Sequence, residues 1–256
     1  MNPATACTSS AHLTKSNPEV GKHASYHFVS FSWIIGGIIE HIDKRNNISK
    51  SMQTWVATPL SGMGDMYIGR LPEDQYPRVA RLESSRAGSV IGWIETLLLT
   101  TVGNSVLWKR LCLPSSNGFF TAKSVARMYG ALSNNGILEG KVIFSDGAMR
   151  TLHHSVSGDR VPPPRASPNQ ETERTEWGRM ALGFGPWETQ LLHGAALAPQ
   201  AFGHSGVGGC VGFSCPRTQL SVCVMKNTYE PISCVGDVSP DVASIVRTAR
   251  RELQAC

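Results

Sequence analysis

The residues best suited to chemistry lie in Phe202-Gly-His-Ser-Gly-Val-Gly-Gly209. A serine beside a histidine, framed by glycines, is a set that acyl transfer can use. Hydroxyl and imidazole handle the carbonyl and its proton, and backbone N–H groups freed by glycine can stabilise an oxyanion. The strained nucleophile elbow G-x-S-x-G does not fit, because Val207 stands where its second glycine is needed. A serine–acid–histidine order is excluded too, since every histidine lies at or before position 204 and none follows Ser205. His153-His154 lack a carboxylate or cysteine at ligand spacing, so they read as an exposed pair and no metal site is expected. The seven cysteines are odd in number and include no C-x-x-C. They therefore read as small apolar residues in a reducing compartment rather than as a disulfide framework or a zinc ribbon. Gly208-Gly209 is assigned to close backbone approach beside Cys210 rather than to a phosphate cradle, and no cofactor is expected.

The elements that must position these residues follow from periodicity. Residues 1–22 read as a flexible, polar lead-in. Phe28, Phe31, Ile34, Ile35, Ile38, Ile39 and Ile42 have helix spacing, with Gly36-Gly37 allowing another element close. Gln53 to Leu60 reads as a short helix stopped by Pro59, and Asp65 to Gly69 as a short extended piece. Ile91 to Val102 is apolar enough to be a buried helix or a loop packed on the core. Thr121 is a suitable N-cap for a helix to Leu132 whose face carries Val125, Met128, Tyr129 and Leu132, with Asn135-Gly136 as its stop. Residues 155–176, with Pro162-Pro163-Pro164 and many charges, read as an exposed loop. Val207 to Ser214 and Leu220 to Met225 form a hairpin pattern around Cys215 to Gln219. An amphipathic helix from Pro240 to Gln254, capped by Ser239, closes the chain. Helices first, then a hairpin and a packing helix, make an α+β order rather than alternating βα units.

Composition narrows the function classes. Hydrophobic residues make up 41% and charged residues 17% of 256, enough for a core. The net charge of +5 includes no basic run, so no nucleic-acid partner is expected. No apolar stretch reaches the roughly 20 residues of a membrane span, and no signal peptide is read at the N-terminus. An intracellular, cytoplasmic location is the default reading.

Five stretches in order resemble one family. They are Ser25-Tyr-His-Phe-Val-Ser-Phe-Ser-Trp-Ile-Ile-Gly36, Thr58-Pro-Leu-Ser-Gly-Met-Gly-Asp-Met-Tyr-Ile-Gly69, Asn117-Gly-Phe-Phe-Thr-Ala-Lys-Ser-Val-Ala-Arg-Met-Tyr129, Trp177-Gly-Arg-Met-Ala-Leu-Gly-Phe184 and His204-Ser205-Gly206 ahead of a hairpin and helix. Together they resemble the tyrosine motif, the P-L-G-M-x-D-T-Y-I-G segment, the N-G-x-x-T-A helix, the W-G-x-G-F strand region and the K-T-G triplet of the serine β-lactamase-related family. That family includes class C β-lactamase-like esterases and the penicillin-binding proteins. The resemblance implies a β-lactamase/transpeptidase-like α+β fold, an antiparallel sheet flanked by helices plus part of an all-helical subdomain, over 23–254. It also implies ester or amide acyl transfer. By position, Tyr26 would be the acid/base tyrosine, needing nearby cations because a free tyrosine titrates near pH 10. His204 would take the lysine place of the triplet and offer a hydrogen bond to a substrate oxygen. Ser205 and Gly206 would complete the triplet, and the Val207 N–H would be half of the oxyanion hole.

The departures matter as much. None of the eight lysines has a serine three residues before it, so the family's S-x-x-K nucleophile motif is absent. Only 25 residues precede Tyr26, so the resemblance places this chain as the C-terminal portion of the fold, N-terminally truncated. Phe28 and Ser32 replace the asparagine and glycine of the tyrosine region. The expectation is a β-lactamase-related hydrolase domain that is a fragment or catalytically impaired. The alternative is a non-catalytic scaffold that keeps its cleft for a ligand or protein partner. An open sheet edge implies marginal stability or a partner covering the gap.

Overall fold

The computed structural model describes residues 30–44, 46–61, 65–85, 90–157, 182–186, 201–206, 208–229 and 244–248. The chain divides into two compact units. One holds Met1–Val79, Val106–Phe120 and Asp159–Arg179; the other holds Ala80–Ser105, Thr121–Gly158 and Met180–Cys256.

In the first unit, α1 (Ser30–Ile42) forms where the isoleucine spacing predicts it, and Gly36 and Gly37 are its buried residues. A side chain at Gly36 would come within 3.0 Å of Ile48 Cδ1, so the glycine is what lets the next helix approach. Asp43 is buried and accepts hydrogen bonds from Asn46 Nδ2 (2.8 Å) and Ser51 Oγ (3.2 Å). The next helix starts earlier than its sequence signal and does not stop at Pro59. It runs as α2 (Ile48–Met52), a π-helical stretch (Gln53–Ala57) and α3 (Thr58–Ser61). The Thr58 N–H donates to Gln53 O, one residue beyond the α-helical partner, immediately before the proline. Pro59 therefore enters a ladder that is already shifted and widened, which absorbs a ring that a regular helix would reject. Strand β1 (Met66–Ile68) pairs antiparallel with β3 (Gly118–Phe120). Beside it, α5 (Val106–Arg110) leads into a loop locked by buried Asn117. Asn117 accepts from Leu113 N (2.8 Å) and donates to Trp108 O (3.1 Å) and Leu111 O (2.8 Å).

The second unit is a four-stranded antiparallel sheet with helices packed on it. Its strand order is β6 (Gly185–Pro186), β7 (Phe202–Ser205), β8 (Val211–Cys215), β9 (Leu220–Val224). The expected hairpin is present with one change: residues 208–210 form a turn, and the strand that pairs with β8 is Phe202–Ser205. Helix α6 (Ala122–Ser133) begins as predicted, the Thr121 hydroxyl accepting from Ser124 N at 3.1 Å, and Asn135 and Gly136 leave it with positive φ. Tyr129 and Leu132 from its predicted face join Met149, Leu152 and Phe202 in the core. Met149 and Leu152 belong to α7 (Asp146–Ser157), a helix with no counterpart in the sequence reading. It runs three residues into the segment read as a loop, and residues 158–176 lie outside the described residues. His153 on this helix is half-buried rather than exposed, and its Nε2 has no hydrogen-bond partner.

Strand β10 (Thr228–Tyr229) runs parallel to β2 (Glu83–Ser84), and α4 (Val90–Asn104) lies against β2. The expectation of a buried segment at Ile91 to Val102 is corrected in part. It is a helix, but it buries Gly92, Thr96 and Thr100, while Ile91, Ile94, Leu98 and Val102 are exposed. The small residues let the helix approach, with Thr96 and Ser84 hydroxyls bonded to each other. Residues 244–248 are helical with Val246 buried, inside the predicted terminal helix.

Candidate functional site

Strand β7 carries His204 and Ser205, and its own residues anchor it. Phe202 is fully buried and meets Phe184 edge-on at 5.4 Å, and Phe184 meets Tyr129 at 6.0 Å. Gly203 follows, and a side chain there would strike Gly212 O at 2.3 Å. That glycine is therefore required by the closeness of β8, not by the turn. His204 pairs with Gly212 and Ser205 with Val211. On the other edge, β6 pairs with Phe202 and Gly203.

The chain turns back at once. Gly206 N donates to Cys210 O (2.8 Å), and Gly209 N donates to Gly206 O (3.1 Å). Gly208 and Gly209 have φ of 96° and 92°, a region where side chains are strained. The Tyr229 ring lies 3.0–3.5 Å from where a Gly208 side chain would stand. The close approach is shown at Gly208 alone and is made by the Tyr229 ring rather than by backbone, while positive φ favours glycine at both positions. Gly206 itself meets nothing nearer than 3.9 Å, so packing does not demand a glycine there.

The His204 ring is largely buried, and burial lowers its pKa, only partly offset by a hydrogen bond between Nδ1 and Ser205 O. A carbonyl can only accept, so Nδ1 carries the ring proton and Nε2 keeps its lone pair. The triplet thus holds a neutral imidazole whose single N–H is already engaged. In this tautomer Nε2 has the character of an acceptor, whereas a lysine in that place would present a cation that donates. The Cys223 thiol, opposite Gly212 on β9, is pushed up to about 12 by burial and by Cys210, which keeps it protonated. Tyr129 is pushed up as well, first by burial and then by Cys223. Among the described residues no group of three or more His, Cys, Asp or Glu could hold a metal.

Of the predicted site residues, His204, Ser205 and Gly206 stand together at the end of β7, while Tyr26 and Val207 lie outside the described residues. Sequence reasoning missed Gly212, which looks like any strand glycine until its pairing with His204 is known. It placed Tyr129 only in the core.

Comparisons with known proteins bear on the family and the fold. The family model described as Beta-lactamase matches residues 6–246. The chain is 25% identical over 229 residues to the Esterase/beta-lactamase LipL of Mycobacterium tuberculosis (strain ATCC 25618 / H37Rv), covering 81% of this chain and 49% of that protein. A family VIII carboxylesterase structure matches with a TM-score of 0.66 at 25% identity, covering 89% of this chain and 58% of the other. A penicillin-binding protein homolog from Caulobacter crescentus matches with a TM-score of 0.66 at 25% identity, covering 98% of this chain and 66% of the other. The chain thus spans about half the length of the relative it matches, and the fold is α+β of the β-lactamase/transpeptidase kind. With a family model matched over residues 6–246, most of its length, this chain belongs to the Beta-lactamase family.

Proposed function

We propose that this chain forms the triplet wall of an ester- or amide-binding cleft and does not turn substrate over by itself. The observation that carries this is a retained His204-Ser205-Gly206 edge in a sequence with no S-x-x-K. Ser205 contributes a hydroxyl. His204 contributes its imidazole, with Nδ1 turned to Ser205 O. Tyr26 is the acid/base tyrosine and the Val207 N–H one oxyanion donor in this reading, both by family position. Without a nucleophile these groups bind a carbonyl but cannot form an acyl-enzyme; loss of that group costs about 10⁶ in dissected serine hydrolases.

The test is intact-mass analysis after exposure to a fluorophosphonate, alongside titration with 4-nitrobutyranilide followed by backbone NMR. The expected result is no covalent adduct and saturable shifts at His204 and Ser205. Stoichiometric labelling of any serine would overturn the non-catalytic part, and absence of binding would overturn the cleft.

One observation favours a partner-binding reading as well. The large apolar residues of α1 and α4 face outward, Ile42 at 72% and Ile91 at 79% exposure. A partner seated on either of these faces would bury such residues.

A further inference from the structure

The chain holds two Asn-Gly pairs, Asn117-Gly118 and Asn135-Gly136. Such a pair can modify itself, because glycine has no side chain to keep its own amide nitrogen from reaching the asparagine side-chain carbonyl. The structure treats the two pairs differently. Asn117 is 1% exposed, and its side chain is held at three points, accepting from Leu113 N and donating to Trp108 O and Leu111 O. A carboxamide so fixed cannot turn toward the next nitrogen, and Gly118 is itself held in β3 opposite Ile68. Asn135 is exposed, and its side chain has no hydrogen bond among the described residues. Its φ of 50° is a conformation that asparagine accepts at some cost. One restraint acts on the nucleophile: Gly136 N donates to Ala131 O at 2.8 Å. That bond closes the end of α6, and helix ends fray.

We propose that Asn135 is a site of spontaneous backbone modification, with water as the co-reactant, and that Gly136 passes the change to the structure below it. When the end of α6 opens, the Gly136 nitrogen attacks Asn135 Cγ. The N–Cγ bond forms and the Cγ–Nδ2 bond breaks. The Gly136 amide proton joins the departing Nδ2 group, which leaves as ammonia. One water then opens the cyclic imide at either carbonyl, giving aspartate or, with the backbone lengthened by one carbon, isoaspartate. Gly136 tolerates such lengthening poorly. It is buried, and a side chain there would meet Phe144 O at 2.3 Å and Met149 Cγ at 3.1 Å. Its carbonyl accepts from Ile143 N (2.7 Å) and Phe144 N (3.1 Å), so displacing it loosens both amides. The new carboxylate also stands at the C-terminal end of α6, where the helix dipole disfavours negative charge. The site does not depend on the cleft reading above.

The experiment ages the full chain in mildly alkaline buffer, with and without guanidinium chloride. Peptides covering 117 and 135 are mapped by mass spectrometry with fragmentation that distinguishes isoaspartate. Each site's folded rate is divided by its own unfolded rate. Asn135 is expected to convert in the folded chain and to be at least about tenfold less protected than Asn117. No conversion at Asn135 in the folded chain would overturn the proposal, and so would a smaller ratio or a reversed order. Amide exchange of the isoaspartate fraction is read next. Faster exchange at Ile143 and Phe144, with Leu152 as protected as before, is the expected result; unchanged exchange at Ile143 and Phe144 would overturn the coupling. Asn135→Gln, aged in parallel, should keep both amides as they were. Loosening there as well would give the effect another origin and overturn the coupling too.

Discussion

At the scale of single residues, His204 decides how this site differs from a lysine-bearing triplet. Burial disfavours the charged imidazole, so its folded pKa lies below that of the unfolded chain. The unfolded state then binds more protons in the interval between the two values. Stability contributed by the neutral ring is complete above about pH 6.5, the unfolded value, and declines as pH falls through the folded pKa. Measured by urea denaturation across pH 4 to 8, the parent should lose stability on the acid side. His204→Gln should flatten that part of the curve. An NMR titration placing the imidazole at or above its ordinary value would contradict the buried, neutral assignment.

At the scale of elements, caps and close approaches explain why the pieces form where they do. Helix α6 starts at Thr121 because its hydroxyl takes up one orphan N–H, that of Ser124. Thr121→Ala should cost about 1 kcal/mol, read as a lower urea midpoint with unchanged slope, and Thr121→Ser should restore most of it. The hairpin of β4 (Ile137–Leu138) and β5 (Lys141–Val142) turns through Glu139 and Gly140, both with positive φ. The Arg127 guanidinium holds the Glu139 carboxylate there and keeps its pKa below the usual range. That pair is exposed at the glutamate, so it guides the turn more than it stabilises the fold.

At the scale of the whole molecule, α1 and α4 share an inverted design. Each buries its small residues, Gly36 and Gly37 in one, Gly92, Thr96 and Thr100 in the other, and turns large apolar side chains outward. Such faces favour association or a covering partner. Replacing Ile91 and Leu98 together by Gln should change the urea midpoint little, because neither is buried. It should lower dye binding to apolar surface and reduce self-association in light scattering. A large loss of stability instead would show that these side chains are already covered.

The sequence by itself determined the elements whose signals are local: the isoleucine-rich α1 with its glycine pair, the Thr121 cap and Asn135-Gly136 stop of α6, and the β8–β9 hairpin around Cys215 to Gln219. It also carried the family, through motifs in order, and the absence of S-x-x-K. Side-chain periodicity and turn chemistry act over a few residues, so they are legible without a fold. Only the tertiary structure decided what depends on distant neighbours. Pro59 stayed in a helix because a π turn precedes it. The apolar α4 faced outward because its small face seats on β2. Gly203 was required by Gly212 O, and the Tyr129 ring packed against Gly212, which strand pairing sets opposite His204. No spacing in the chain encodes those distances, because the contacts exist only after helix and sheet have packed.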